Sequence, residues 1–247
     1  AGRARAKGKL APAPPTAQPR SETMNQSSLN ELRRILVPGS IVYLLGGTKA
    51  LSPVIDRAVA GAGFTPKRIA GADRFETAVN IARPVPTHGA PSSGHVATGS
   101  DFPDALAAGA AAGAIGISAQ TPVAGAPAPQ PGDVSPNGAV VVLSDGAKLP
   151  AASQAYLAGM DPAATRMYGV GGKAVAAVHT AFPAWQNWVT FTPLFGADRY
   201  GTSVAVAPRF SYLPTSAPVA SGATSPAALS GGPVAAWTDP IVALPDV

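Results

Sequence analysis

The residues with most chemical potential come as two matching pairs, Asp73-Arg74 and Asp198-Arg199, each just ahead of a helical pattern. A guanidinium there suits bidentate contact with phosphate or carboxylate. The structural reading gives aspartate the helix cap and arginine a partner in a neighbouring module. Asp101 and Asp104 stand at another helix start. As a catalytic pair they lack a nearby acid or base partner; interaction with the helix dipole explains them, with a lone divalent-cation site as the alternative. Gly46-Gly47-Thr48-Lys49 has the look of a phosphate loop but lacks the Gly-Lys-Ser/Thr ending and the spacing for a nucleotide. Backbone N–H groups at such helix starts can still hold an anion. His88, His95 and His179 show no metal-ligand spacing, and there is no cysteine, no Gly-x-Ser-x-Gly and no His-Glu-x-x-His. The expectation is no metal, no cofactor and no catalysis. Trp185 and Trp188 form one small cluster, read as core or interface rather than a sugar platform.

Short β-rich runs alternate with helical runs and must position these residues. The strands are expected at Ile41–Leu45, Lys67–Ala70, His95–Thr98, Ala139–Leu143, Met167–Val170, Val189–Leu194, Pro218–Ala220 and Ile241–Leu244. The helices are expected at Pro53–Gly61, Arg74–Ala82, Pro103–Ala114, Pro150–Ala158, Val175–Phe182, Arg199–Ala207 and Pro226–Ala236. Such alternation predicts an α/β fold with a mostly parallel sheet.

The series occurs twice. Tyr43-Leu-Leu-Gly46-Gly47 returns 125 residues later as Tyr168-Gly-Val-Gly171-Gly172. Gly71-Ala-Asp73-Arg74-Phe75-Glu76-Thr77 returns at the same offset as Gly196-Ala-Asp198-Arg199-Tyr200-Gly201-Thr202. Val96-Ala-Thr-Gly99 with Pro103-Asp104 returns 123 residues later as Val219-Ala-Ser-Gly222 with Pro226-Ala227, and Val142 matches Ala243 more loosely. The shortfall at this last landmark leaves a Pro/Gly/Ala insertion at about 117–138 in the first copy, expected as a surface loop. Gly46-Gly47 lets the chain turn from strand into a helix capped by Ser52-Pro53. Asp73 with Glu76 forms a capping box; the second copy has Gly201 instead of the glutamate, so its helix is expected to be weaker.

Arg68-Ile-Ala-Gly-Ala-Asp-Arg-Phe-Glu-Thr-Ala-Val79, then Ala97-Thr-Gly-Ser-Asp-Phe-Pro-Asp-Ala-Leu106, resembles the cell-wall-binding repeat 2 family of clostridial and actinobacterial surface proteins. The resemblance covers roughly residues 40–247 and weakens in the second copy, where Asp101 and Asp104 become Thr224 and Ala227. It implies tandem flavodoxin-like modules that attach non-covalently to anionic wall polymers. The candidate polymer ligands are then Arg74, Arg199, Arg68, Lys49 and Lys173. The motif framework is Gly46, Gly47, Asp73, Glu76, Thr77, Gly99, Asp101, Pro103, Asp104, Gly171, Gly172, Asp198, Thr202 and Pro226. The family carries three repeats packed about a pseudo-threefold axis, whereas two are found here. Module surfaces are thereby left for self-association or other surface subunits.

Charge follows the same division. Residues 1–34 hold seven cations (Arg3, Arg5, Lys7, Lys9, Arg20, Arg33, Arg34) and two anions (Glu22, Glu31), the whole net charge of +5. The remainder is balanced, so no basic face for specific nucleic-acid binding is expected. Residues 1–39 read as a basic Pro/Ala-rich tail and linker, 40–160 as the first repeat and 161–247 as an incomplete second. No apolar run is long enough to span a membrane. The leading function is an extracellular, non-catalytic cell-wall attachment protein. The alternative is a structural subunit of a filament, surface layer or virion; a wall hydrolase finds no room for a catalytic domain.

Overall fold

The computed structural model describes residues 23–83, 91, 93–120, 138–161, 165–187, 191–210, 218–222, 232 and 242–244, with side chains described except at 116–120, 186–187 and 242–244. The basic segment before residue 23, the core of the Pro-rich insertion, His88, Trp188 and the helix expected at 226–236 with Pro226 lie outside the described residues. Two compact units divide between Lys67 and Arg68.

The first unit holds α1 (Gln26–Ile35), β1 (Ile41–Leu45), α2 (Pro53–Gly61) and the start of β2 (Thr65–Ile69). Helix α1 falls in the segment read as linker. Asn25 caps it by accepting from the Ser28 N–H, and Glu31 pairs with Arg34 one turn on. Leu32 and Leu36 pack on the cluster of Leu44, Ile55, Val59 and Phe64. Its apolar face is sparse, which hides the helix among polar neighbours in the sequence. At α2, the Ser52 hydroxyl accepts from the Val54 N–H and Pro53 takes the first helical position.

The second unit contains α3 (Arg74–Ala82), β3 (Ser93–Thr98), α4 (Pro103–Gln120), β4 (Ala139–Ser144), α5 (Ala151–Ala158), β5 (Arg166–Val170), α6 (Gly172–Ala181), β6 (Phe191–Leu194), α7 (Arg199–Phe210), β7 (Val219–Ser221) and β8 (Val242–Leu244). Strands β4-β3-β5-β6 form one all-parallel sheet in that order. Val96, Val142 and Met167 face one layer, with Val79 of α3, Leu157 of α5 and Val178 of α6. Ala97, Tyr168, Val170 and Leu194 face the other, with Ala108 and Ala111 of α4 and Val206 of α7. Helices thus cover both faces of a doubly wound sheet, and the strand order reverses between β3 and β5. The sheet crosses residue 160: β3 and β4 come from the first sequence copy, β5 and β6 from the second.

Helix α4 runs six residues beyond its expected end, through Ile115, and α6 begins at Gly172 rather than Val175. The smaller sheet pairs β7 with β8. Val219 lies opposite Val242, as Val96 lies opposite Val142. This register makes Val242, not Ala243, the counterpart of Val142. A one-residue slip would turn every side chain to the other face.

Candidate functional site

All four strands of the large sheet end at one edge, and the motif residues of β3, β5 and β6 gather there. Gly99, Asp101, Pro103 and Asp104 follow β3; Gly171, Gly172 and Lys173 follow β5; Asp198 and Arg199 follow β6. The crevice beyond the carboxyl ends at a strand-order reversal is the usual ligand position in such folds.

The paired Asp-Arg motif has the same local geometry in both copies. The Asp73 carboxylate accepts from the Phe75 and Glu76 N–H groups, and Asp198 accepts from Gly201 N–H. The Thr77 and Thr202 hydroxyls accept from the Gly71 and Gly196 N–H groups. Arg74 Nη1 donates to the Gly99 carbonyl at 2.8 Å, and Arg199 Nη1 donates to the Gly222 carbonyl at 2.8 Å. Each arginine therefore ties its helix to the end of the next strand. Glu76 reaches the Ala72 N–H rather than the cap residue's own N–H. The absent glutamate in the second copy does not shorten its helix: α7 spans 12 residues against 9 in α3. A Cβ on Gly196 would collide with the Gly201 backbone, so this close turn is made by two glycines.

Beyond that shared pattern the two arginines differ. Arg199 Nη2 donates to Asp101 Oδ2 at 3.1 Å, and its guanidinium lies 5.8 Å from the Phe102 ring centroid. The ion pair joins a residue of the first copy to one of the second. Arg74 is exposed, with its described bond to Gly99. Sequence reading allowed the arginine a partner in a neighbouring module but did not name Asp101 as that partner. The change of Asp101 to Thr224 in the second copy was the available signal, since it marks a partner needed at one copy alone.

Asp104 leans over the start of α6. Gly171 has φ +87, and a Cβ there would collide with the Asp104 carboxylate. Helix α6 has no side-chain cap of its own. Burial, then the charge of Asp101, raises the Asp104 pKa, against the pull of Arg199 and Lys173. A carboxylate thus faces the helix end where a phosphate would sit in a nucleotide-binding fold of this topology, and its charge opposes such a ligand. On the outer side, the Ser100 hydroxyl donates to Asp145 and accepts from the Gly146 N–H.

Among the remaining candidates, Lys173 is exposed on the same edge, while Arg68 is half-buried in β2. Lys49, Gly46 and Gly47 lie in the first unit, with Gly46 at φ +124. Among the described residues, no group of three His, Asp or Glu side chains is placed to hold a metal ion. Among them too, no helix is long and apolar enough to cross a membrane. His95 is buried against Tyr168 and Phe210, at ring distances of 4.9 and 5.5 Å, and Trp185 stacks on Phe182 at 4.3 Å.

Comparison with known proteins agrees with this architecture. The model of the family described as cell wall binding domain 2 matches residues 68–177 and 194–246, more than half of the chain. The chain belongs to this family. Among solved structures, it resembles Cwp6 from Clostridium difficile, with a TM-score of 0.67, 18% identity, and coverage of 91% of this chain and 32% of that one. It also resembles Cwp8 from Clostridium difficile, with a TM-score of 0.55, 22% identity, and coverage of 83% and 31%. The chain therefore spans about a third of the length of these proteins. No curated protein matches it.

Proposed function

We propose that the chain attaches non-covalently to anionic polymers of the cell wall, at the cell surface and without catalysis. The observation behind this reading is the family match over both halves of the large unit. Two tandem copies, about 40–160 and 161–247, carry the function, and the chain works alongside further copies of itself or other surface subunits.

The polymer contacts begin with Arg74 and Lys173. Both are exposed on the carboxyl edge of the sheet, and among the described residues neither is paired with a carboxylate in the way Arg199 is. Lys49 and Arg68 add weaker contacts, and Arg199 serves mainly to join the copies. Loss of one charge-assisted contact weakens binding by about tenfold. Lys173→Ala is expected to show that loss against isolated anionic wall polymer at low salt with an unchanged urea midpoint, whereas Arg74→Ala is expected to show it together with a lower midpoint, because the bond to the Gly99 carbonyl is lost as well. Undiminished affinity in both Arg74→Ala and Lys173→Ala would remove the polymer from this edge. A second reading, a structural subunit of an extracellular assembly, is favoured by the two small sheets, β1-β2 and β7-β8, whose strands among the described residues do not pair with the large one.

A further inference from the structure

The layer of the large sheet that faces α4 and α7 has a polar floor. Ser93 and His95, two residues apart in β3, share this face and are 2% and 0% exposed. Among the described residues, neither the Ser93 hydroxyl nor either His95 ring nitrogen has a hydrogen-bond partner of good geometry. Buried polar groups left in that state favour any opening that wets them. The cover over them is the last turn of α7. Phe210 lies 5.5 Å from the His95 ring and 5.0 Å from the Tyr168 ring, and Tyr168 stacks on His95 at 4.9 Å. The Arg209 guanidinium sits 5.7 Å from the Tyr168 ring centroid.

This cover is held weakly. Phe210 is only half-buried and Arg209 is exposed. Pro208 stands just before them, inside the helix. Proline has no N–H to donate to the Val204 carbonyl, and its ring crowds that carbonyl. The helix is therefore weakest where the cover begins. Charge sets the direction of its response. From β5, Tyr168 lies opposite His95 and Arg166 opposite Ser93; from β4, Val141 lies opposite His95. From α4 come alanines and Ile115, and from α7 Arg209 and Phe210. The acidic residue of α4, Asp104, stands at the start of that helix, on the carboxyl edge. Among the described residues of this layer, a proton on His95 thus meets two arginines and no carboxylate.

We propose that the last turn of α7 is an acid-operated latch: protonation of His95 swings Arg209 and Phe210 off the sheet about Pro208, while the sheet itself stays folded. The latch is independent of polymer binding. Burial holds the closed His95 at about 4, against 6.5 for a solvated histidine. The closed form is therefore favoured at neutral pH and loses ground as pH falls from 6.5 towards 4. Over that range the open form gains about a hundredfold.

Amide hydrogen exchange of the full chain, followed by NMR at pH 7 and pH 4 and corrected for intrinsic rates, tests this directly. Protection of the Arg209 and Phe210 amides is expected to fall about a hundredfold at pH 4, while β3 and β5 remain better protected. His95→Phe, which keeps a ring in the stack, is expected to abolish that fall. Pro208→Ala restores a backbone donor at an exposed position and is expected to raise protection of both amides about tenfold. Equal protection of the unaltered chain at the two pH values overturns the latch. Equal exchange of β3, β5 and the α7 end at pH 4 also overturns it, because the whole sheet is then opening. An undiminished fall in His95→Phe assigns the proton to another group and removes His95 as the trigger. Should His95→Phe fail to fold, Pro208→Ala decides: unchanged protection there overturns the hinge.

Discussion

His95 and Gly171 show how single positions constrain this fold. His95 sits in β3 with its ring stacked on Tyr168 and near Phe210; Arg209 lies over the Tyr168 ring. Among the described residues neither ring nitrogen has a hydrogen-bond partner of good geometry. Burial lowers its pKa from the usual 6.5 to about 4, opposed weakly by the Val140 backbone. The unfolded chain therefore takes up a proton at a pH where the folded chain does not. Stability is full above about pH 6.5 and falls as pH drops towards 4, by about 3 kcal/mol. His95→Phe should flatten that slope in urea unfolding measured at several pH values; an unaltered slope would mean that other groups carry it. Gly171 makes a different demand, combining a left-handed backbone with the Asp104 carboxylate against its Cα. Gly171→Ala should cost about 1–3 kcal/mol. In an Asp104→Ala background the cost should fall, and a double-mutant cycle of unfolding energies measures the difference.

Elements were legible where pattern and punctuation agreed. Ser52-Pro53 and Asp73 mark helix starts by capping chemistry, and α2 and α3 have the bounds expected from sequence. Strand β3 is buried along its whole length, as a central parallel strand should be. Helix α1 was missed although Leu29, Leu32 and Leu36 hold helical spacing between the Asn25 cap and the Arg33-Arg34 end, because the run is short and otherwise polar and follows the basic Pro-rich segment. Helix α4 is nearly all small residues, so periodicity could not set its end; Ala107, Ala108 and Ala111 instead let it lie close on the sheet. Ala108→Leu should therefore destabilise the fold by about 1–3 kcal/mol through overpacking. Thermal unfolding tests this; an unchanged midpoint would show space that the packing does not have.

At the scale of the molecule, the twofold motif series was readable because glycines, caps and arginines hold fixed offsets. The series did not reveal that the large sheet draws half its strands from each copy. Nor did it reveal that Asp101 and Arg199, 98 residues apart, meet across them. Those facts depend on strand order, which periodicity does not encode. Family membership and the carboxyl-edge cluster together direct the central claim to the wall itself.

The most direct measurement is co-sedimentation of the full chain with purified wall sacculi, before and after acid removal of their anionic polymers, over a salt series. The account predicts binding to intact sacculi, loss of binding on stripped ones, and retained binding when residues 1–22 are deleted. Equal binding to intact and stripped sacculi would contradict it. So would binding that disappears with the basic segment and falls with salt alike for any polyanion, because exposed charges are then acting without the repeats.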